Sequence, residues 1–429
     1  MIMDKIELLA PAGDLEKLKI AVIYGADAVY FGGETFSLRA GAGNFTIDEI
    51  EEGVRFAHDK GCKCYMTLNI YAHNEDIEPL KNYLKKIKHI PIDAFLISDP
   101  GILSIVKEIL PGAELHLSTQ ANMTNYMTAK FWYELGVRRL VVARELSLEE
   151  IKELSDKTPE DMTLESFVHG AMCISYSGRC LLSNVMTGRD ANRGLCAHPC
   201  RYKYTVMEEK RPGEYYPVEE DARGTYIFNS KDLCMIKYIP QLVSSGIASA
   251  KIEGRIKSLY YVATVIHAYR QAIDAYYENP EKYIFNEEWF EELQKASHRE
   301  FTTGFYFNKT TENDQNYDSS AYVKEYSFIG IVKSYDSVTG FATVQQRNKM
   351  VVGDDIEIFG PKPGFASQKL TEMYDAETGE KLAGYLGKTL RKELGYRHLL
   401  VLAERKPAKT RLHGYRFSDN SHGSDPHGL

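Results

Sequence analysis

The chain has 429 residues, and 44% of them are hydrophobic, which suffices for one large domain and a smaller one, each with its own core. The longest apolar runs are too short to cross a bilayer, and the first residues lack the basic segment of a secretory signal, so we expect a cytoplasmic protein without a membrane segment. The formal net charge of −8, taken alone, argues against a nucleic-acid partner.

Residues 1–280 repeat one pattern, in which a short apolar run, a polar turn and an amphipathic helical stretch follow one another. The apolar runs are predicted to be eight strands: Lys5–Ala10, Ala28–Gly33, Lys63–Ile70, Ala94–Ser98, Ala113–Thr119, Arg138–Ala143, Leu164–Gly170 and Ala248–Gly254. Their alternation with helices predicts an α/β fold, although a doubly wound sheet would show the same alternation. The count of eight favours a (β/α)8 barrel of the TIM type.

The pattern is interrupted after the seventh predicted strand. No helical stretch follows it directly, and residues from about 171 to 247 hold an irregular cysteine-rich stretch and segments typical of β-hairpins. We therefore predict a barrel over residues 1–295 that carries this segment as an insertion at the carboxyl ends of its strands. Barrel enzymes place their active sites at that end, so the insertion is expected to be functional.

The rest of the chain predicts a different architecture. Residues 296–326 are expected to form a linker that packs on the barrel, 327–406 a small β-barrel domain, and 407–429 a basic and then disordered tail. Between Lys388 and Arg416 there are nine basic residues against two acidic ones. Such a patch suits phosphate binding, although a solvated surface would have the same composition.

Polar residues follow most of the predicted barrel strands, where an enzyme pocket needs them. We assign catalytic roles to Gln120, Glu145, His169 and Glu253, and substrate binding to Arg39, Asn69, Arg144, Arg255 and Lys257. The arginines would clamp a carboxylate or a phosphate, and the glutamates would act as acid or base or merely pair with the arginines. His169 would be catalytic, a metal ligand or a hydrogen-bonded side chain.

Four of the seven cysteines, Cys173, Cys180, Cys196 and Cys200, lie in the irregular stretch, and Cys234 is a fifth candidate ligand nearby. Structural zinc usually takes closer pairs of cysteines, and a catalytic cysteine needs a single activated thiol. An iron–sulfur cluster needs four thiolates and tolerates irregular spacing. The spacing thus favours a cluster and leaves zinc, or reduced cysteines without a metal, as alternatives.

Several long stretches carry a resemblance to a known family: ELLAPAGDLEKLKIAVIYGADAVYFGG, STQANMTN, ESFVHGAMCISYSGRCLLSN with NRGLCAHPCRYKY, and KIEGRIKS. They resemble the collagenase-like peptidase family U32. SHREFTTGFYF and the small β-domain are similar to the C-terminal part of that family. The resemblance covers nearly the whole chain.

The resemblance implies one of two activities. Some members are reported as peptidases. As a peptidase, this chain would use His169 with Glu145 or Glu253. Others are oxygen-independent hydroxylation factors with a four-iron, four-sulfur cluster, and the chain is most similar to those that hydroxylate the wobble uridine of tRNA with prephenate.

In the hydroxylation branch, Cys173, Cys180 and Cys196 match the cluster ligands, and either Cys200 or Cys234 supplies the fourth. We infer that the arginines at the strand ends bind the two carboxylates of prephenate and that the basic segment binds tRNA. A partner protein of the same family is a further expectation.

Overall fold

The computed structural model describes residues 5–37, 43–173, 175–177, 179–201, 205–207, 215–217, 231–296, 298–308, 326–361, 365–376, 378–382, 384–385 and 399–404. Its strands in chain order are β1 Glu7–Pro11, β2 Ala28–Phe31, β3 Lys63–Leu68, β4 Ala94–Ile97, β5 Glu114–Leu117, β6 Arg139–Val141, β7 Thr163–Ala171, β8 Thr205–Met207, β9 Tyr215–Pro217, β10 Asp232–Cys234, β11 Ser249–Ile252, β12 Phe301–Thr302, β13 Tyr326–Tyr335, β14 Ala342–Gln346, β15 Met350–Val351, β16 Asp355–Phe359, β17 Phe365–Lys369, β18 Met373–Tyr374, β19 Lys381–Leu382, β20 Gly384–Tyr385 and β21 Leu399–Glu404.

The helices connect the barrel strands and continue beyond them. In chain order they are α1 Leu15–Ile23, α2 Ile47–His58, α3 Ile77–Ile87, α4 Pro100–Ile109, α5 Tyr126–Glu134, α6 Leu148–Lys157, α7 Leu182–Thr187, α8 Ile239–Ser244, α9 Leu259–Glu278 and α10 Glu287–Lys295. Among the helices within the described ranges, none combines the length and the hydrophobicity that a bilayer crossing requires.

Eight parallel strands close into a barrel, as the sequence predicts. Strands β1 to β7 pair in chain order, and β11 pairs with both β1 and β7 and so closes the ring. Most positions of these strands are buried because side chains fill the barrel interior on one face and helices cover the other. The (β/α)8 prediction is confirmed.

Side chains at the helix starts explain where several helices begin. Ser147 accepts a hydrogen bond from the backbone N–H of Glu150, and the Glu150 carboxylate accepts one from the backbone N–H of Ser147. This capping box matches the Ser–Glu spacing in the sequence. Thr46 with Glu49 makes the same arrangement at the start of α2, so local sequence sets both boundaries.

Strand β7 is longer than the other barrel strands and changes partner along its length. Its first part pairs with β6 and β11, and its end pairs with β10 in antiparallel fashion. Gly170 has a φ of +109° there, and a Cβ atom would lie 2.7 Å from the backbone oxygen of Glu253. Glycine at this position therefore lets β7 leave the barrel and start the cysteine-rich insertion.

In the described residues of the insertion, β8 and β9 pair as the expected hairpin. Two helices differ from the prediction, and the first is α7, which lies within the stretch expected to be irregular. A crossover helix also exists between the last two barrel strands, since α8 precedes β11 and contacts α6 and α9. The insertion thus delays the seventh crossover helix instead of replacing it.

The C-terminal domain is built from antiparallel β-structure. In its described residues, β14, β13, β21, β16 and β17 form a five-stranded sheet in that order, and two small ribbons accompany it. The prediction of a small β-domain is confirmed, as separate sheets rather than one closed barrel in the part of the domain that is described. Phe359 contacts Tyr24 and Tyr260, so this domain packs directly on the barrel.

Candidate functional site

One cavity of about 360 Å³ lies at the carboxyl ends of the barrel strands. Its lining comes from strand ends on both sides of the barrel and from the cysteine-rich insertion, which forms its roof. Small-ligand pockets commonly have volumes from about 300 to 1,000 Å³, so the volume of this cavity falls within the range of known ligand sites. The cavity is our candidate active site.

The roof contributes four thiols to the cavity. Cys173, Cys180, Cys196 and Cys200 all line it, whereas Cys234 is buried in β10 and does not. In an iron–sulfur cluster the thiolates bind different iron atoms, so they must surround a volume instead of converging on one point. Four thiols around one cavity fit that requirement.

Zinc is the other metal that these residues predict. Within the described ranges, no three His, Cys, Asp or Glu side chains lie close enough together to hold one ion. This finding tests neither zinc nor a cluster, so both stay predictions.

Arg144 anchors the start of the roof. Its guanidinium donates hydrogen bonds to the backbone oxygen of Ala171 at 2.9 Å, to Sγ of Cys173 at 3.1 Å and to Oγ of Ser177 at 3.1 Å. Burial by itself would lower the pKa of Arg144, but the nearby charges, that of Cys173 first, raise it. Arg144 thus contacts a thiol of the roof and also lines the cavity, and its predicted role in substrate binding stays a prediction.

The far side of the roof is attached to the loop after β3. Arg193 donates to the carboxylate of Asp76 at 3.1 Å, and the backbone N–H of Tyr71 donates to the backbone oxygen of Asn192 at 3.3 Å. The insertion therefore spans the barrel mouth from β7 to the β3 side. These contacts hold both ends of the segment whose four thiols line the cavity.

Cationic side chains dominate the charge of the cavity. Among the described residues, five cationic side chains line it together with one carboxylate, that of Glu253: Arg144, Lys251, Arg255, Lys257 and Arg299. Arg255 donates to Oγ of Ser37 at 2.7 Å and to Oδ1 of Asn44 at 2.8 Å, two described positions after β2. This excess of positive charge favours anionic ligands.

Lys251 at the cavity floor is a residue that the sequence analysis missed. It lies within β11, is 3% exposed, and its Nζ is 2.6 Å from the carboxylate of Glu165, which is fully buried. Burial opposes the charge of Glu165, but Lys251 and Arg139 outweigh it and lower the pKa of that carboxyl. The sequence feature that points to this residue is a lysine inside an otherwise apolar predicted strand, whereas the predicted site residues lie at the strand ends.

The part of the cavity lining that comes from β3, β4, β5 and the described residues just after them is uncharged. Asn69 follows β3 and donates from Nδ2 to Oγ of Ser118 at 3.2 Å, and Gln120 lies beside them after β5. Asn69 and Gln120 thus line the cavity, as predicted from their positions at strand ends. The side chains of Leu96 and Val141 complete this wall.

Other predicted site residues lie elsewhere. His169 is buried between Tyr261, Tyr269 and Phe301 and does not line the cavity, and neither does the half-buried Glu145. Burial raises the pKa of Glu145. Arg39 and the basic residues of 388–398 and 405–416 are outside the described side chains, so their roles stay predictions.

His169 carries an expected pH effect on stability. Burial lowers its pKa to about 3, while the unfolded value is about 6.5. The neutral ring of His169 therefore makes its full contribution to the free energy of unfolding above about pH 6.5. This contribution is lost as the pH falls toward 3, because only the unfolded chain takes up the proton. His169→Phe keeps an aromatic ring in place and is expected to remove about 1 kcal/mol of the stability loss between about pH 7.5 and about pH 5.5. Denaturant unfolding at both pH values measures this, and identical losses in the two proteins would contradict it.

The chain matches known proteins over most of its length. The sequence profile described as Peptidase family U32 matches residues 13–316, and that of the Peptidase family U32 C-terminal domain matches residues 324–385. The tRNA hydroxylation protein P1 of Bacillus subtilis is 45% identical over 381 residues, which are 89% of this chain and 89% of that protein.

Two further relatives differ in the activity that their names state. The tRNA hydroxylation protein P of Escherichia coli is 39% identical over 84% of this chain and 87% of that protein. A protein of Porphyromonas gingivalis named Collagenase is 34% identical over 89% of this chain and 93% of that protein. Similarity at this level extends over both the barrel and the C-terminal domain.

Proposed function

The chain belongs to peptidase family U32, and on that premise we propose that it is a tRNA-modifying enzyme that hydroxylates the wobble uridine to 5-hydroxyuridine. The proposed reaction is independent of oxygen and uses prephenate as co-substrate. One observation carries the proposal: four thiols of the roof and the polar side chains of the barrel line the same cavity. The names of the Bacillus subtilis and Escherichia coli relatives support it.

We assign a four-iron, four-sulfur cluster to Cys173, Cys180, Cys196 and Cys200. Cys200 is preferred over Cys234 as the fourth ligand because Cys200 lines the cavity, whereas Cys234 is buried in β10 and does not line the cavity. When bound, such a cluster supplies one-electron chemistry next to the substrate. Arg144 positions the roof, since it binds both Cys173 and the backbone at the end of β7.

The cationic side chains of the cavity suit the dicarboxylate co-substrate. Lys257 and Arg299 line the cavity beside Arg255, and a carboxylate between them would face several positive charges. The neutral wall at Asn69 and Gln120 lies across the cavity. We propose that the co-substrate occupies the cationic side and that the base of the tRNA occupies the neutral side.

The peptidase alternative has weaker support. It requires His169 to act with Glu145 or Glu253, yet of these three residues only Glu253 lines the cavity. His169 is also 2% exposed and packs among Tyr261, Tyr269 and Phe301. A hydrolytic pair built on His169 is therefore not what this site offers.

Deleting the gene is expected to remove 5-hydroxyuridine and the nucleosides derived from it from cellular tRNA. Mass spectrometry of digested tRNA measures these nucleosides, and a plasmid copy of the gene should restore them. The host should lack other members of the family, so that no related enzyme substitutes. Unchanged nucleosides in such a strain would contradict the proposed function.

A further inference from the structure

Gln120 presents a buried amide to the cavity. The residue is 3% exposed, and neither Nε2 nor Oε1 of its side chain has a hydrogen-bond partner among the described residues. Buried polar groups in native proteins are nearly always paired, and leaving them unpaired costs free energy. An amide in this state is suited to a ligand that offers one donor and one acceptor side by side.

Hydrogen bonds hold the backbone turn that carries Gln120. Gln120 is the middle residue of the 3-10 turn Thr119–Ala121, directly after β5. The side chain of Asn122 donates to the backbone oxygen of Gln120 at 2.9 Å, and Oγ1 of Thr119 donates to the backbone oxygen of Val142 at 3.2 Å. Such a fixed turn fits a recognition role, because little ordering is needed when a ligand binds.

The surroundings of Gln120 favour a neutral planar ligand. Asn69, Ser118 and Thr119 are uncharged, and Leu96 and Val141 are apolar. Strand β5 lies opposite β1 in the ring, while Lys251 and the residues after it belong to β11, next to β1. Lys251, Arg255 and Lys257 therefore lie across the ring from Gln120, whereas Arg144 follows β6 beside β5 and donates to Ala171, Cys173 and Ser177. The wall near Gln120 suits an uncharged, flat group with polar atoms on one edge.

We propose that Gln120 binds the Watson–Crick edge of the target uracil, an inference that rests on the proposed function. The imide N3–H of uracil would donate to Oε1 of Gln120, and its O4 would accept from Nε2. These two hydrogen bonds satisfy both amide atoms at once. A base that is turned out of an RNA loop presents this edge to a protein pocket. Gln120 is thus a substrate-recognition residue.

The affinities of two RNAs for the wild type and for Gln120 variants test this inference without requiring the cofactor or the co-substrate to react. The full-length protein is titrated with an anticodon stem-loop RNA that carries either uridine or N3-methyluridine at the wobble position. The methyl group blocks the N3–H donor, so the wild-type protein is expected to bind the modified RNA about tenfold more weakly. Gln120→Leu is expected to bind the uridine RNA about tenfold more weakly, with no further loss for the modified RNA.

Gln294→Leu is the matched control, since Gln294 is exposed on α10 and far from the strand ends. It should discriminate between the two RNAs as the wild type does. Gln120→Met keeps the length of the side chain but removes both polar atoms, and it is expected to lose the same discrimination, which covers a folding failure of Gln120→Leu. Full discrimination by a folded Gln120 variant would overturn the inference, whereas failure of the wild type to bind either RNA would overturn the proposed function itself.

Discussion

Cys200→Ser is expected to lose the proposed iron–sulfur cluster and the proposed tRNA hydroxylation activity, while Cys234→Ala keeps both. The reason is geometric: Cys200 lines the cavity together with Cys173, Cys180 and Cys196, and Cys234 does not. Serine at any of the other three roof positions should have the same effect as at Cys200.

Iron and sulfide content and the absorption spectrum of anaerobically purified protein measure this difference apart from activity. Cys62→Ala is a matched control, because Cys62 is also a buried thiol but lies at the start of β3, away from the cavity. Iron loss in Cys234→Ala with iron retained in Cys200→Ser would reverse our assignment of the fourth ligand. Iron retained in all four roof variants would contradict the cluster site altogether.

Glu165→Gln is expected to lower the free energy of unfolding by about 3 to 5 kcal/mol, the usual cost of breaking a buried ion pair on one side. The carboxylate of Glu165 lies 2.6 Å from Lys251 Nζ and 3.6 Å from Arg139 Nη1. Without its charge, the ammonium of Lys251 stays buried with no carboxylate beside it. Packing around the amide changes little, so the loss reports the charge.

Denaturant unfolding of the wild type and of Glu165→Gln measures this difference in the free energy of unfolding. Asp156→Asn is the matched control, because Asp156 and Lys152 form an exposed ion pair along α6 and such pairs contribute little. Adding Lys251→Met to Glu165→Gln should recover part of the loss, since it removes the isolated charge. A loss no larger than that of the control would contradict the role assigned to this pair.

Much of the fold follows from local patterns in the sequence. The eight barrel strands, the capping box at Ser147 and the hairpin in the insertion all depend on residues near one another in the chain, and all agree with the structure. The short crossover helix α8 was missed because it has only six residues, too few to show helical periodicity.

The site was predictable only in outline. Asn69, Gln120 and Glu253 were found because residues after parallel strands meet at one end of a barrel. His169 follows the same rule and yet lies outside the cavity. The register of β7 against β11 shifts between Lys251 and Ile252, and the backbone at His169 is paired with β10 as well. A shift of one residue turns a side chain to the other face of a strand.

The sequence by itself determined the barrel, the C-terminal β-domain and the position of four cysteines beside the seventh strand, because periodicity and motif spacing are properties of neighbouring residues. Only the tertiary structure decided which side chains meet. Lys251 pairs with Glu165 because closing the ring places β11 next to β7, and Arg144 reaches Cys173 because the insertion folds back over β6. The choice between Cys200 and Cys234 is of the same kind, since it depends on which thiol faces the cavity.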